Sequence, residues 1–159
     1  ESWAAALALA QVAQTGKAEN GADRALLAAF DQREVVELEG AREQLTIFDT
    51  LPEKEQRDLL NAVLEESQQY DGEIAPLAEA WLAGDTERLI ALTRRGILAD
   101  PELAQALLHD RNADWALQVE NLLSARERPL IAVGTGHLIG ERGLPALLEQ
   151  RGYRVRRVE

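Results

Sequence analysis

The run Pro129-Leu-Ile-Ala-Val-Gly134 constrains the chain most: it is continuously apolar, too short for a helix, and followed at once by a glycine-rich loop. Such a run suits a strand covered on both faces. After the loop, Leu144 to Gln150 has a helical pattern closed by Gly152, and Tyr153 to Val158 alternates as a last strand would. Strand, helix and strand in so short a span predict a parallel βαβ unit over 129–159. Glu34-Val-Val-Glu-Leu-Glu39, closed by Gly40, predicts a further strand. Between these, residues 41–125 read as a helical section, broken at Leu51-Pro52, Tyr70-Asp-Gly72, Gly84-Asp85 and Asp100-Pro101. Asp85 and Asp100 are the expected N-caps, the latter with a proline at the first helical position. Helices are also expected over Ser2 to Thr15, with Ser2 as cap, and over Ala22 to Phe30 after the Asn20-Gly21 turn. The expected fold class is α/β, a small mostly parallel sheet with a large helical middle section and a C-terminal βαβ unit.

At 159 residues the chain can build one core, and a single domain over 1–159 is expected. Its 17 Lys and Arg against 28 Asp and Glu give a net charge of -11, which repels phosphate backbones and argues against a nucleic-acid partner. The Arg151, Arg154, Arg156 and Arg157 cluster reads as one solvated strand face. Cysteine is absent, so thiolate chemistry and Cys-ligated metals are excluded. The longest apolar stretch, Trp3 to Ala13, is far short of the roughly 20 residues of a membrane span. Methionine is also absent, which points to a processed product or fragment. So few strands leave sheet edges unpaired, and missing strands or homo-oligomerisation would follow.

Chemistry concentrates on the loop Gly134-Thr135-Gly136-His137-Leu-Ile-Gly140. It leaves the carboxyl end of the expected central strand, where ligands bind in open α/β sheets. Gly134, Thr135 and Gly136 offer backbone close to a substrate, and His137 offers an imidazole for metal ligation, proton transfer or anion binding. A turn with a hydrogen-bonded histidine fits the same residues. The glycines miss the dinucleotide spacing by one position. Arg111 stands four residues from both Leu107 and Trp115, which with Val119 and Leu122 form an apolar stripe. A guanidinium aimed at a core must be paired, and Glu39 at a strand end is the candidate partner. A structural ion pair joining helix to sheet is the bland alternative to catalysis. Asn112 borders the stripe and could orient a polar neighbour; Gln44 could bond the strand end. Trp81 reads as a core anchor and His109 as a surface group.

The segments Val36-Glu-Leu-Glu39-Gly-Ala-Arg-Glu-Gln44, Ala80-Trp-Leu-Ala-Gly84-Asp85, Asp110-Arg-Asn-Ala-Asp-Trp115 and Val133-Gly-Thr-Gly-His137-Leu-Ile-Gly140, with the closing Leu147 to Val155, resemble in order the motifs of the TraB/GumN family. The resemblance runs over nearly the whole chain. It implies a relation to Tiki-type metalloproteases, hence a metal-dependent hydrolase or peptidase acting on a peptide or small-molecule ligand. In that family two Gly-x-x-His motifs, a glutamate and an Asn/Arg pair hold a divalent metal such as Mn or Co. Carried over, His137 and Glu39 match metal ligands, and Glu39, Arg111 and Asn112 match catalytic positions. Gly134, Thr135, Gly136 and Gln44 would line the substrate. The first Gly-x-x-His has no counterpart, and Gly40 stands where a small polar residue often follows the glutamate. The resemblance therefore implies an N-terminally truncated part, inactive as it stands, or a non-catalytic ligand-binding module on the same scaffold. An exported or periplasmic location is implied by resemblance alone.

Overall fold

The computed structural model describes residues 1–13, 21–125 and 128–158, and the side chains of 68–75 lie outside the description. The elements are α1 (Ser2–Ala13), α2 (Ala22–Ala29), α3 (Ala41–Thr50), α4 (Glu53–Ala83), α5 (Thr86–Thr93), α6 (Pro101–Ala104), α7 (Asp110–Ser124) and α8 (Leu144–Gln150). A π-helical turn, Gln105–His109, joins α6 to α7. The helix expected as far as Thr15, and the Asn20 of the turn before α2, reach residues outside the described ones.

Among the described residues there is no β-strand, so the fold is all-helical and the expected parallel sheet is not formed. The segments 34–39, 129–134 and 153–158 are non-helical, but a strand exists only where a neighbour completes its ladder. Some of their apolar residues pack on helices instead, while Val35, Val36, Val155 and Val158 are exposed. Leu38, Ile131 and Val133 lie against Trp115, Ala116 and Val119 of α7 and Leu144 of α8. The apolar run of 129–134 is thus covered on one side by helices, and Leu130 on its other side is 62% exposed. Hydrophobic continuity thus overstated the burial, one face being covered instead of two, and it named the wrong covering element, since a short apolar run can pack on a sheet or on helices. The C-terminal arginines are likewise not one solvated strand face: Arg157 Nη2 donates to the carbonyl of Gly84, 2.8 Å away, and Arg151 pairs with Glu120 of α7 at 3.6 Å.

A separate core lies where α1 packs along α4 and α6, around Ala6, Leu59, Val63 and Leu103. The 31-residue α4 continues through Tyr70-Asp-Gly72, where a break was expected, and even carries Pro76. A glycine costs a helix only about 1 kcal/mol, which packing overrides. At the end of α4, Gly84 takes the left-handed conformation and closes the helix, as its position before Asp85 predicts. Trp81, one turn earlier, is 59% exposed and anchors no core. Ser2 lies inside α1 and donates to Glu53 of α4 rather than capping its own helix.

Both aspartate caps form. Asp85 accepts from the Arg88 N–H, and Asp100 Oδ1 accepts from the N–H groups of Glu102 (2.9 Å) and Leu103 (3.0 Å), so the Leu103 bond foremost holds the Asp100 carboxyl below the ordinary range. Asp100→Ala is expected to cost about 1 kcal/mol, with Asp100→Ser retaining most of the stability. Urea midpoints check this, and an alanine variant with the wild-type midpoint would show that the cap does not contribute.

Candidate functional site

Helix α7 carries the site. The segment before α3 is tied to it twice: Gln118 Nε2 donates to the Leu38 carbonyl at 2.9 Å, and Arg111 Nε donates to Glu39 Oε2 at 2.9 Å. Arg111 also donates through Nη1 to the carbonyl of Leu107, in the π-helical turn, at 3.0 Å, and its guanidinium lies 4.8 Å from the centroid of the Trp115 ring. The side chains of Glu39 and Arg111 are only 12% and 16% exposed, so each ion depends on the other for the solvation it has lost. Glu39 Oε1 is buried and has no hydrogen-bond partner among the described residues.

His137 also lies against Trp115, its ring centroid 4.5 Å from that of the indole. It ends a single 3₁₀ turn, Thr135–His137, in which the Gly134 carbonyl accepts the His137 N–H at 2.9 Å. Neither Gly134 nor Gly136 has a positive φ, and a methyl group on either would meet only ordinary contacts. The residues needing glycine are further on: Gly140 has a φ of +80°, and a side chain on Gly143 would collide with the Ile139 backbone. That tight turn presents the Arg142 carbonyl to Asn112 Nδ2 at 2.8 Å, and Asn112 Oδ1 lies 2.6 Å from His137 Nδ1. Asn112 is 1% exposed. No described residue hydrogen-bonds His137 Nε2.

The structure therefore gathers Glu39 and His137 against Arg111 and Asn112 of α7, with the guanidinium and the imidazole both next to the Trp115 ring. No hydrogen bond or ion pair joins His137 to Glu39 among the described residues. Gln44 lies on the exposed face of α3 and hydrogen-bonds nothing through its side chain among the described residues. His109, expected at the surface, is partly buried with its Nδ1 unpartnered. Sequence reasoning placed Trp115 in the stripe but missed that its ring meets both Arg111 and His137, and missed Gln105 and Arg142 entirely. The invariant spacing of a regular helix carries no sign of a π turn, and a carbonyl donated by residue 142 leaves no trace in side-chain identity.

A cleft of about 500 Å³ opens beside Arg111, between α3 and α7, with Glu39, Glu43, Asp110 and Asp114 among its lining residues. The donor set does not fit a divalent metal. Among the described residues no three His, Cys, Asp or Glu groups are placed to hold one, and tight sites need about that many. Glu39, moreover, already has one oxygen bound to a guanidinium cation, which would repel a second positive charge at the same carboxylate.

Burial, and after it the charge of Arg111, pushes the His137 pKa down to about 4. The imidazole is thus neutral at pH 7. In the unfolded chain it titrates near the ordinary 6.5, so between those values the unfolded state binds more protons. His137 then adds its full stabilisation above about pH 6.5 and loses it as pH falls towards 4. His109, lowered by burial and then by Arg142, works in the same direction. The stability of the His137→Gln variant is expected to fall less steeply over that window than wild type, measured by thermal melts at stepped pH. Parallel curves would remove His137 from the account.

No helix among the described residues is long and apolar enough to cross a membrane. Compared with known proteins, the chain matches the TraB/PrgY/gumN family model over residues 1–157. No curated protein and no solved structure matches it. With the match spanning nearly every residue and the motif-bearing Glu39, Arg111, Asn112 and His137 gathered on α7, the chain belongs to the TraB/PrgY/gumN family.

Proposed function

We propose that this chain is a ligand-binding unit of the family, with His137 and the acidic α3–α7 cleft, which His137 does not itself line, as two separate points of contact for a ligand. The observation that carries the reading is the division of labour in the imidazole: Nδ1 is held by Asn112, while Nε2 has no protein partner among the described residues. A neutral imidazole so placed accepts a hydrogen bond from an N–H or O–H of a peptide or small molecule. The charge of Arg111 is balanced by Glu39, so Glu43, Asp110 and Asp114 give the cleft a negative excess that favours a ligand with a cationic end.

Titration of the ¹⁵N-labelled protein with trilysine and with triglutamate tests this. Trilysine is expected to shift the signals of His137 and Asp114, triglutamate is not, and His137→Ala is expected to weaken trilysine binding about fivefold, the value of one ordinary hydrogen bond. Equal response to both peptides, or binding indifferent to His137→Ala, would refute the reading.

A metal-dependent hydrolase is the second reading, favoured by the unpartnered Glu39 Oε1 and the free His137 Nε2, two ligand atoms of the right chemistry. Two donors do not make a tight site. Calorimetric titration with Mn²⁺ and Co²⁺ separates the readings: heat that disappears in His137→Ala favours the hydrolase, and its absence favours the binding unit.

A further inference from the structure

A polar chain runs from the edge of the cleft to the imidazole, and every link in it has only one possible polarity. It starts at Asp110, whose carboxylate accepts a hydrogen bond from Gln105 Nε2. A carboxylate only accepts, so the Gln105 amide must turn its nitrogen to Asp110 and its oxygen the other way. That oxygen receives Arg142 Nη1 at 2.8 Å, and a guanidinium only donates. The same Arg142 presents its backbone carbonyl to Asn112 Nδ2 at 2.8 Å. A carbonyl only accepts, so the Asn112 oxygen faces His137, and at 2.6 Å the imidazole Nδ1 must be the donor.

The π-helical turn lies between the two points that Arg142 holds. Gln105 opens that turn and Asn112 lies just beyond it, both close enough for one arginine to bridge. The Arg142 guanidinium anchors on the first while its main chain serves the second. Asn112 is almost completely buried, so its amide has no water to offer an alternative orientation.

We propose that Arg142 and Gln105 are positioning residues that hold His137 in the Nδ1–H tautomer, leaving the Nε2 lone pair as the acceptor offered to a ligand. This rests on the reading of His137 as the contact group for its significance, but the tautomer itself is measured without any ligand. Failure of the one is therefore distinguishable from failure of the other. Arg142 is exposed, so its side chain can be removed with little risk to folding.

The chain has two histidines, and His109→Gln leaves a single imidazole to observe by long-range ¹⁵N correlation at pH 7. The expected spectrum shows Nδ1 protonated and Nε2 unprotonated in one form. Arg142→Ala and Gln105→Ala, each in that background, are expected to yield a mixture of the two tautomers with unchanged circular dichroism, and Arg142→Lys to restore much of the single form by keeping a donor for Gln105. A protonated Nε2 in the background protein overturns the proposal outright. A single Nδ1–H form persisting in both alanine variants overturns the part assigned to Arg142 and Gln105, because the turn from Gly140 to Gly143 would then be sufficient.

Discussion

Arg111→Ala is expected to destabilise the protein by about 3 kcal/mol, because it leaves the Glu39 carboxylate desolvated without a counter-ion. For a domain of this size that corresponds to a fall of roughly 6 to 12 °C in melting temperature. The figure exceeds the value of a surface pair, about 0 to 1 kcal/mol, because both side chains are mostly buried and Glu39 Oε1 has no other partner to fall back on. Arg111 also gives up its bond to the Leu107 carbonyl and its place over Trp115. The double replacement Glu39→Gln with Arg111→Met is expected to recover a large part of the loss, since it removes the uncompensated charge and preserves most of the volume. Thermal melts of the two single variants and the double complete the cycle. If Arg111→Ala melts within about 1 kcal/mol of wild type, the pair behaves as a solvated surface contact and is not the clamp that holds the Glu39 segment to α7.

The Arg111–Glu39 contact was legible from sequence because it follows from a conflict that a chain must resolve. Helical periodicity put a guanidinium on the apolar stripe with Trp115, a buried guanidinium requires an anion, and Glu39 stood at the end of a segment with apolar alternation. The choice of Glu39 leaned on an expected strand end, and the pairing stands without that strand because the need of a buried guanidinium for an anion does not depend on the sheet. Aspartate caps at 85 and 100 were legible for a similar reason: the cap bond is local and made by the residue itself. The sheet was inferred from runs that announce burial but not what buries them, and Ile131 and Val133 are covered by helices α7 and α8. Trp81 failed in the opposite direction, since a large aromatic on a helix says nothing about which neighbours the tertiary fold brings to it. The hold of Asn112 on His137 was visible only as a polar residue at the border of a stripe; its partner lies 25 positions away and depends on the turn at Gly140 to Gly143.

Trp115 should show the largest single effect, because three features of the molecule meet on its ring. It is 6% exposed, it lies in the core formed with Ala116, Val119 and Leu144, and its ring is in contact with both Arg111 and His137. Trp115→Ala is expected to cost about 4 kcal/mol from lost burial and the cavity left behind, and Trp115→Phe distinctly less. The more diagnostic consequence is at the imidazole. Burial is the main cause of the low His137 pKa, so opening the space where the indole stood is expected to move it up from about 4 towards the ordinary 6.5, while Trp115→Phe leaves it low. The pH window over which the fold weakens should narrow accordingly in the alanine variant, because the folded and unfolded values then approach each other. Where Trp115→Ala is too unstable to titrate, Trp115→Leu keeps the core filled and still removes the aromatic plate. ¹H NMR titration of the imidazole measures the shift directly. A His137 pKa that stays near 4 in the alanine variant would mean that exclusion of water by the indole is not what keeps the imidazole neutral; one that stays near 4 in the leucine variant would mean that the aromatic face adds nothing beyond that exclusion.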